Sequence, residues 1–141
     1  MAASEEKRIN DRQIRVGLVA PAERAPQFVE ALRGNTHFVI AAQAGMPQSA
    51  ALPAIEWFSD QRVLAAQGGI DLLIACAAPR AMVDLSAIAA AHAVHLWRMP
   101  PPGRSFAETT EIVQRHRAAG LVYRIASWWD MVADALRTCL E

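Results

Sequence analysis

The run Ile14-Arg15-Val16-Gly17-Leu18-Val19 leads into Ala20-Pro21-Ala22-Glu23-Arg24-Ala25. That spacing, directly after an apolar strand, is the spacing of a G-x-G-x-x-G fingerprint. In the fingerprint, glycines let the backbone approach a pyrophosphate at the start of a helix. Here alanine stands at all three places, Ala20, Ala22 and Ala25. The third position tolerates alanine, but at the second a Cβ intrudes where backbone and phosphate must meet. If either of the first two needs positive φ, alanine there costs roughly 1–2 kcal/mol. Pro21 and Pro26 delete two amide donors near the helix start, the part of such a site that holds anions. Gln43 stands near the end of the second strand, where an acid would hold ribose hydroxyls, and its amide can still bond one. The frame for a dinucleotide is present and the residues that admit it are not, so no cofactor is expected.

Arg24, Arg80 and Arg98 each follow the end of a predicted strand: the first, fourth and fifth. Strand ends of an open α/β sheet converge on a ligand crevice, and three arginines there could hold a small anion. Pointing into solvent is the competing expectation for them. His92 and His95 form an H-x-x-H pair, but no third ligand is evident and strand alternation would not aim both at one point. They read as ordinary polar histidines, and no metal is expected. Glu108 and Glu111 share a helix face that reads as solvated. Cys76 and Cys139 are too far apart in sequence for a C-x-x-C, and Cys76 reads as a buried thiol in an apolar strand. Lys7 is the only lysine, which leaves none in the folded part for Schiff-base or acid–base work. No serine has a histidine and an acid placed around it.

These residues are set on alternating strands and helices, the pattern of a parallel sheet covered by helices. Strands are expected at 14–20, 37–43, 55–58, 70–77, 94–97 and 121–126. Helices are expected from about Pro26 to Arg33, Asp60 to Gln67, Pro79 to about His92, and Ser105 to Ala119. Ser105 and Glu108 have capping-box spacing. Ser127 would cap a last helix whose apolar positions Trp128, Val132, Ala135, Leu136 and Cys139 recur at helical spacing. The fold class is α/β, a doubly wound, Rossmann-like and mainly parallel sheet of about six strands with helices on both faces. Residues 1–12 are expected to be a flexible tail and 13–141 a single domain. The 141-residue length suits one domain, and the formal net charge of 0 gives no electrostatic footprint for nucleic acid or an anionic membrane. The N-terminus lacks the apolar stretch of a signal peptide, and no apolar run reaches the roughly 18 residues of a membrane span. A cytoplasmic location is expected.

Taken in order, Ile14-Arg15-Val16-Gly17-Leu18-Val19, Ile70-Asp71-Leu72-Leu73-Ile74-Ala75, Arg98-Met99-Pro100 and Ala119-Gly120-Leu121 resemble the N-terminal domain of the glucose–fructose oxidoreductase (Gfo/Idh/MocA) family. The resemblance covers about residues 13 to 140. It implies an NAD(P)-binding domain followed by a second, α+β domain with substrate contacts, whereas this chain stops at the helix joining the two. The family's Glu-Lys-Pro motif reads Arg98-Met99-Pro100, so Met99 stands where a lysine assists proton transfer, and Met99 can neither give nor take a proton. The resemblance therefore implies a degenerate copy without a catalytic residue. The expected function is a noncatalytic binding or assembly module. The alternative is an NAD(P)-binding oxidoreductase subunit completed by another chain. Trp128, Trp129, Val132 and Leu136 are the expected interface, to a second copy or another protein, because a tryptophan buries about 150–250 Å² and the domain that would cover them is absent.

Overall fold

The computed structural model describes residues 12–45, 54–100 and 103–125. Six strands form one sheet: β1 (Ile14–Val19), β2 (Phe38–Ala44), β3 (Glu56–Phe58), β4 (Leu72–Ala75), β5 (His95–Arg98) and β6 (Tyr123–Ile125). Four helices connect them: α1 (Ala25–Arg33), α2 (Gln61–Gln67), α3 (Pro79–Ala91) and α4 (Phe106–Ala118). The strand order is β3-β2-β1-β4-β5-β6, and every neighbouring pair is parallel. The order reverses between β1 and β4, which makes their carboxyl ends the topological switch point. The central strands earn their places by composition: Leu72, Leu73, Ile74 and Ala75 of β4 are all buried, as a strand covered on both faces requires.

Two apolar layers flank the sheet. On one face Leu64 of α2 and Met82 and Leu85 of α3 pack with Leu73 and Leu96. On the other, Phe28, Val29 and Leu32 of α1 pack over Val16, Leu18, Leu72 and Ile74. Gly17 makes the first layer possible, since a Cβ there would lie 2.5 Å from Ile70 Cδ1 and 2.8 Å from Leu64 Cδ2. Phe38 and Trp97 meet on the second face with ring centroids 6.3 Å apart, and the Arg124 guanidinium lies 6.0 Å from the Trp97 ring centroid.

Several elements are shorter than their sequence pattern. The strand expected over 70–77 is trimmed to β4 because the Asp71 carboxylate turns to the Arg15 amide at 2.9 Å and to Arg12 at 2.8 Å. Arg12 is thereby tied to the domain although the sequence places it in the tail. The strand expected over 121–126 begins only at Tyr123, because the Leu121 amide closes the end of α4 on the His116 carbonyl at 2.9 Å. The capping box of α4 is displaced. Ser105 Oγ accepts from the Glu108 amide at 3.2 Å, but the Glu108 carboxylate reaches back to the Arg104 amide at 2.7 Å and pairs with the Arg104 guanidinium at 2.7 Å. Glu108 is therefore no solvated acid, its side chain being only 13% exposed, whereas Glu111 is exposed and pairs with Arg115. Ser127, Trp128, Trp129, Val132, Ala135, Leu136 and Cys139 lie outside the described residues. Among the described residues no helix is long and apolar enough to cross a membrane.

Candidate functional site at the carboxyl ends of the strands

The chain leaves β1 through Ala20 and Ala22 and enters α1 at Ala25, with Ala20 and Ala25 buried. Among the described residues the one non-glycine with positive φ is Ala93, far from this turn, so the conditional strain does not arise at Ala20 or Ala22. The turn is instead built around Pro21. Its carbonyl accepts from the Arg24 amide at 2.9 Å and from the Ala25 amide at 3.0 Å. Pro26 has no N–H, and the Gln27 amide donates to the Arg24 carbonyl at 3.1 Å. Positions 25, 26 and 27 thus offer no free donor at the start of α1. An incoming phosphate binds to unsatisfied amides at a helix start, and here the chain has already used or deleted three in a row.

The floor of the same turn is closed. Gly45, just beyond β2, lies so near the Ala20 carbonyl that a Cβ on it would sit 2.6 Å from that oxygen. Trp57 Nε1 donates to the Gly45 carbonyl at 2.9 Å and holds this strand end in place. The pocket left among Ala20, Ala25, Gln43, Gly45 and Trp57 has a volume of 10 Å³, at the lower limit for one water. Gln43 is buried, and its amide nitrogen faces the Ile55 carbonyl at 3.4 Å, within the protein rather than toward a ribose. These residues do not fit the pyrophosphate and ribose of a dinucleotide.

The three arginines do not share one environment. Arg24, at the N-cap of α1, and Arg80, in the first turn of α3, are exposed. Arg98 is 1% exposed. Its Nε donates to the Met99 carbonyl at 3.2 Å. The guanidinium also lies beside the Tyr123 phenol, near enough to interact. Burial weakens the guanidinium's hold on its proton, an effect that Tyr123 and Glu108 oppose. Burial likewise pushes the Tyr123 phenol up, against the pull of Arg98. Arg98 is thus built into the β5–β6 edge, which leaves Arg24 and Arg80 as the accessible pair of the three. Met99, in the place the resemblance gives to a lysine, is half-buried, with its amide on the Ala75 carbonyl at 3.0 Å. His92 is exposed at the C-cap of α3, while His95 Nδ1 accepts from the Val122 amide at 3.0 Å, a structural bond that fixes its tautomer. Cys76 is half-buried at the end of β4.

An open crevice of 520 Å³ lies beside the closed turn, lined by Ser59, Asp60, Gln61, Arg62, Ala81 and Asp84 together with Gly45. Asp60 caps α2 through the Arg62 amide at 2.8 Å and pairs with the Arg62 guanidinium at 3.0 Å, which holds its carboxyl below the usual range. The Ser59-Asp60 pair ahead of an apolar helix signals the cap. Nothing in the local sequence signals that α2 and α3 leave a gap.

No family model matches the sequence, and no curated protein matches it. Solved structures do. The WlbA dehydrogenase of Bordetella pertussis, in complex with NADH and UDP-GlcNAcA, superposes with a TM-score of 0.75 at 20% identity, over 83% of this chain and 36% of that one. Biliverdin reductase of Synechocystis, in complex with biliverdin and NADP+, gives 0.71 at 18% identity, over 79% and 37%. An NAD-binding oxidoreductase of Klebsiella pneumoniae gives 0.64 at 20% identity, over 81% and 34%. All three are oxidoreductases, the class to which the sequence resemblance points, and this chain spans about a third of their length. The likeness establishes the fold: this is a Rossmann-like α/β domain.

Proposed function

We propose that this chain is a noncatalytic Rossmann-like module that acts by binding and assembly and does not hold a dinucleotide at the start of α1. The observation that carries the reading is the loss of three successive donors there, at Ala25, Pro26 and Gln27, above a pocket of 10 Å³. A pyrophosphate brought to the start of α1 would lose its hydration and gain no amide from positions 24 to 27 in return. Met99 adds no acid–base group beside it. The structural neighbours described as bound to NADH or NADP+ support the nucleotide-binding ancestry of the frame, and the closed turn supports its loss of that ligand. Any anion the module binds meets Arg24 and Arg80, since Arg98 is committed to the β5–β6 edge.

Assembly is assigned to the C-terminal segment, where the sequence carries the apolar side chains of Trp128, Trp129, Val132 and Leu136. A twofold pairing of two such segments satisfies both copies with one patch. The experiment is thermal unfolding with NAD, NADP and their reduced forms at about 1 mM, since a ligand that binds only the folded state must raise the midpoint. No shift is expected, and a shift with any of the four refutes the reading. Sedimentation of the Trp128→Ser/Trp129→Ser variant tests the assembly: a dimer of the unaltered chain should become a folded monomer. A monomeric unaltered chain across micromolar concentrations overturns it.

A further inference from the structure

Buried polar groups gather where α4 covers the β5–β6 edge. His116 is fully buried, four residues on from buried Ile112, so both lie on the inner stripe of α4. Its ring stacks at a tilt on Tyr123 with centroids 5.5 Å apart. Nδ1 lies 3.3 Å from the Ile112 carbonyl, so a neutral ring donates its one N–H there. Nε2 is buried with no hydrogen-bond partner among the described residues, and the Tyr123 hydroxyl beside it is buried against the Arg98 guanidinium. The charge acting on the ring is the Arg115 guanidinium on α4, and the neighbouring ring of His95 on β5, whose Nδ1 accepts from Val122, offers His116 no opposite charge. Glu111 on α4 is paired with Arg115 at 2.8 Å, and the α3 group meeting this corner is Ser86, which accepts from Arg115 at 3.3 Å.

We propose that His116 is an acid-operated latch: a proton taken from solvent at Nε2 creates a second N–H that no described residue accepts, and α4 is released from the sheet edge. The Ile112 carbonyl and the nearby helix C-terminus favour a charged ring, but lost hydration outweighs them, and the folded ring holds its proton less tightly than at the ordinary value of 6.5. With the folded value depressed, the latch holds fully above the unfolded value. It weakens as pH falls below 6.5, by up to about tenfold in the opening equilibrium per pH unit, until the folded value is reached. Opening uncovers Arg98, which at neutral pH is buried beside Tyr123.

Hydrogen exchange of α4 amides, corrected for intrinsic rates, tests the latch in the full chain and in His116→Phe, which keeps a ring against Tyr123 but cannot titrate. Between pH 6.5 and 5.5 protection of α4 in the unaltered chain should fall by several-fold to tenfold, and the variant should lose far less. Equal losses, or no loss in the unaltered chain, overturn the proposal. Should the variant not fold, the ring-carbon NMR titration of His116 in the unaltered chain decides. A midpoint below 6.5 is expected, and one at or above it overturns the latch.

Discussion

Restoring glycine at positions 20, 22 and 25 would rebuild the fingerprint in sequence, and the structure predicts that it will cost stability without restoring a cofactor. Ala20 and Ala25 are 7% and 2% exposed, so each loses a buried methyl worth about 0.8 kcal/mol. Each new glycine also adds about 0.4–1 kcal/mol of unfolded-chain entropy. The triple variant should therefore be less stable by about 3–5 kcal/mol, and its melting temperature lower by about 10–15 °C for a domain of this size. None of the three changes touches the bonds of the Pro21 carbonyl to the Arg24 and Ala25 amides, the missing N–H of Pro26, or the Gln27 bond to Arg24. The donors thus stay occupied. Melting curves followed by circular dichroism, with and without NADH at about 1 mM, read both effects. A ligand of Kd near 100 µM would raise stability by about 1.4 kcal/mol at that concentration, about 4 °C and easily seen. A rise of that size in the triple variant would refute the reasoning, because it would show that the methyl groups alone had kept the ligand out.

Ala93 holds φ at +58° after α3, so Ala93→Gly should stabilise the protein by about 1 kcal/mol, read as a higher urea midpoint. Gly17→Val should destabilise by about 1–3 kcal/mol through overpacking against Ile70 and Leu64, with a lowered melting temperature as the readout. The Arg104 guanidinium and amide hold the Glu108 carboxyl below its ordinary value of 4.5. A depressed folded value stabilises above the unfolded one and is lost as pH falls through the folded one. Glu108→Gln should therefore be less stable than the unaltered chain at pH 7, and the gap should close as pH drops below 4.5, as chemical unfolding at several pH values would show.

Much of the fold was legible in the alternation of apolar strands and amphipathic helices, because continuous runs such as Leu72-Leu73-Ile74-Ala75 suit only a strand covered on both faces. Strand order was not, since pairing partners are set by packing across the sheet rather than by neighbours in sequence. The site was legible in its alanines and prolines but not in its closure. The Gly45–Ala20 approach and the Trp57–Gly45 bond join segments far apart along the chain. Arg98 was misplaced for a reason the sequence does contain. Val94, just ahead of β5, alternates with Leu96 and Arg98 within it, and the period of two puts all three on the buried side. The inner stripe of α4 was readable in the same way, since Glu108, Ile112 and His116 are spaced four apart. Pairing Glu108 with Glu111 instead made a half-buried, bonded carboxylate look solvated.

The central claim, that positions 24 to 27 at the start of α1 have no donors left for a phosphate, is tested most directly by reading the amides of the turn themselves. An NADH titration of the nitrogen-15-labelled chain, followed through the backbone signals of Ala22 to Gln27, is predicted to leave them unshifted at about 1 mM ligand, apart from Pro26, which gives none. Saturable shifts centred on Ala25 and Gln27 would contradict it.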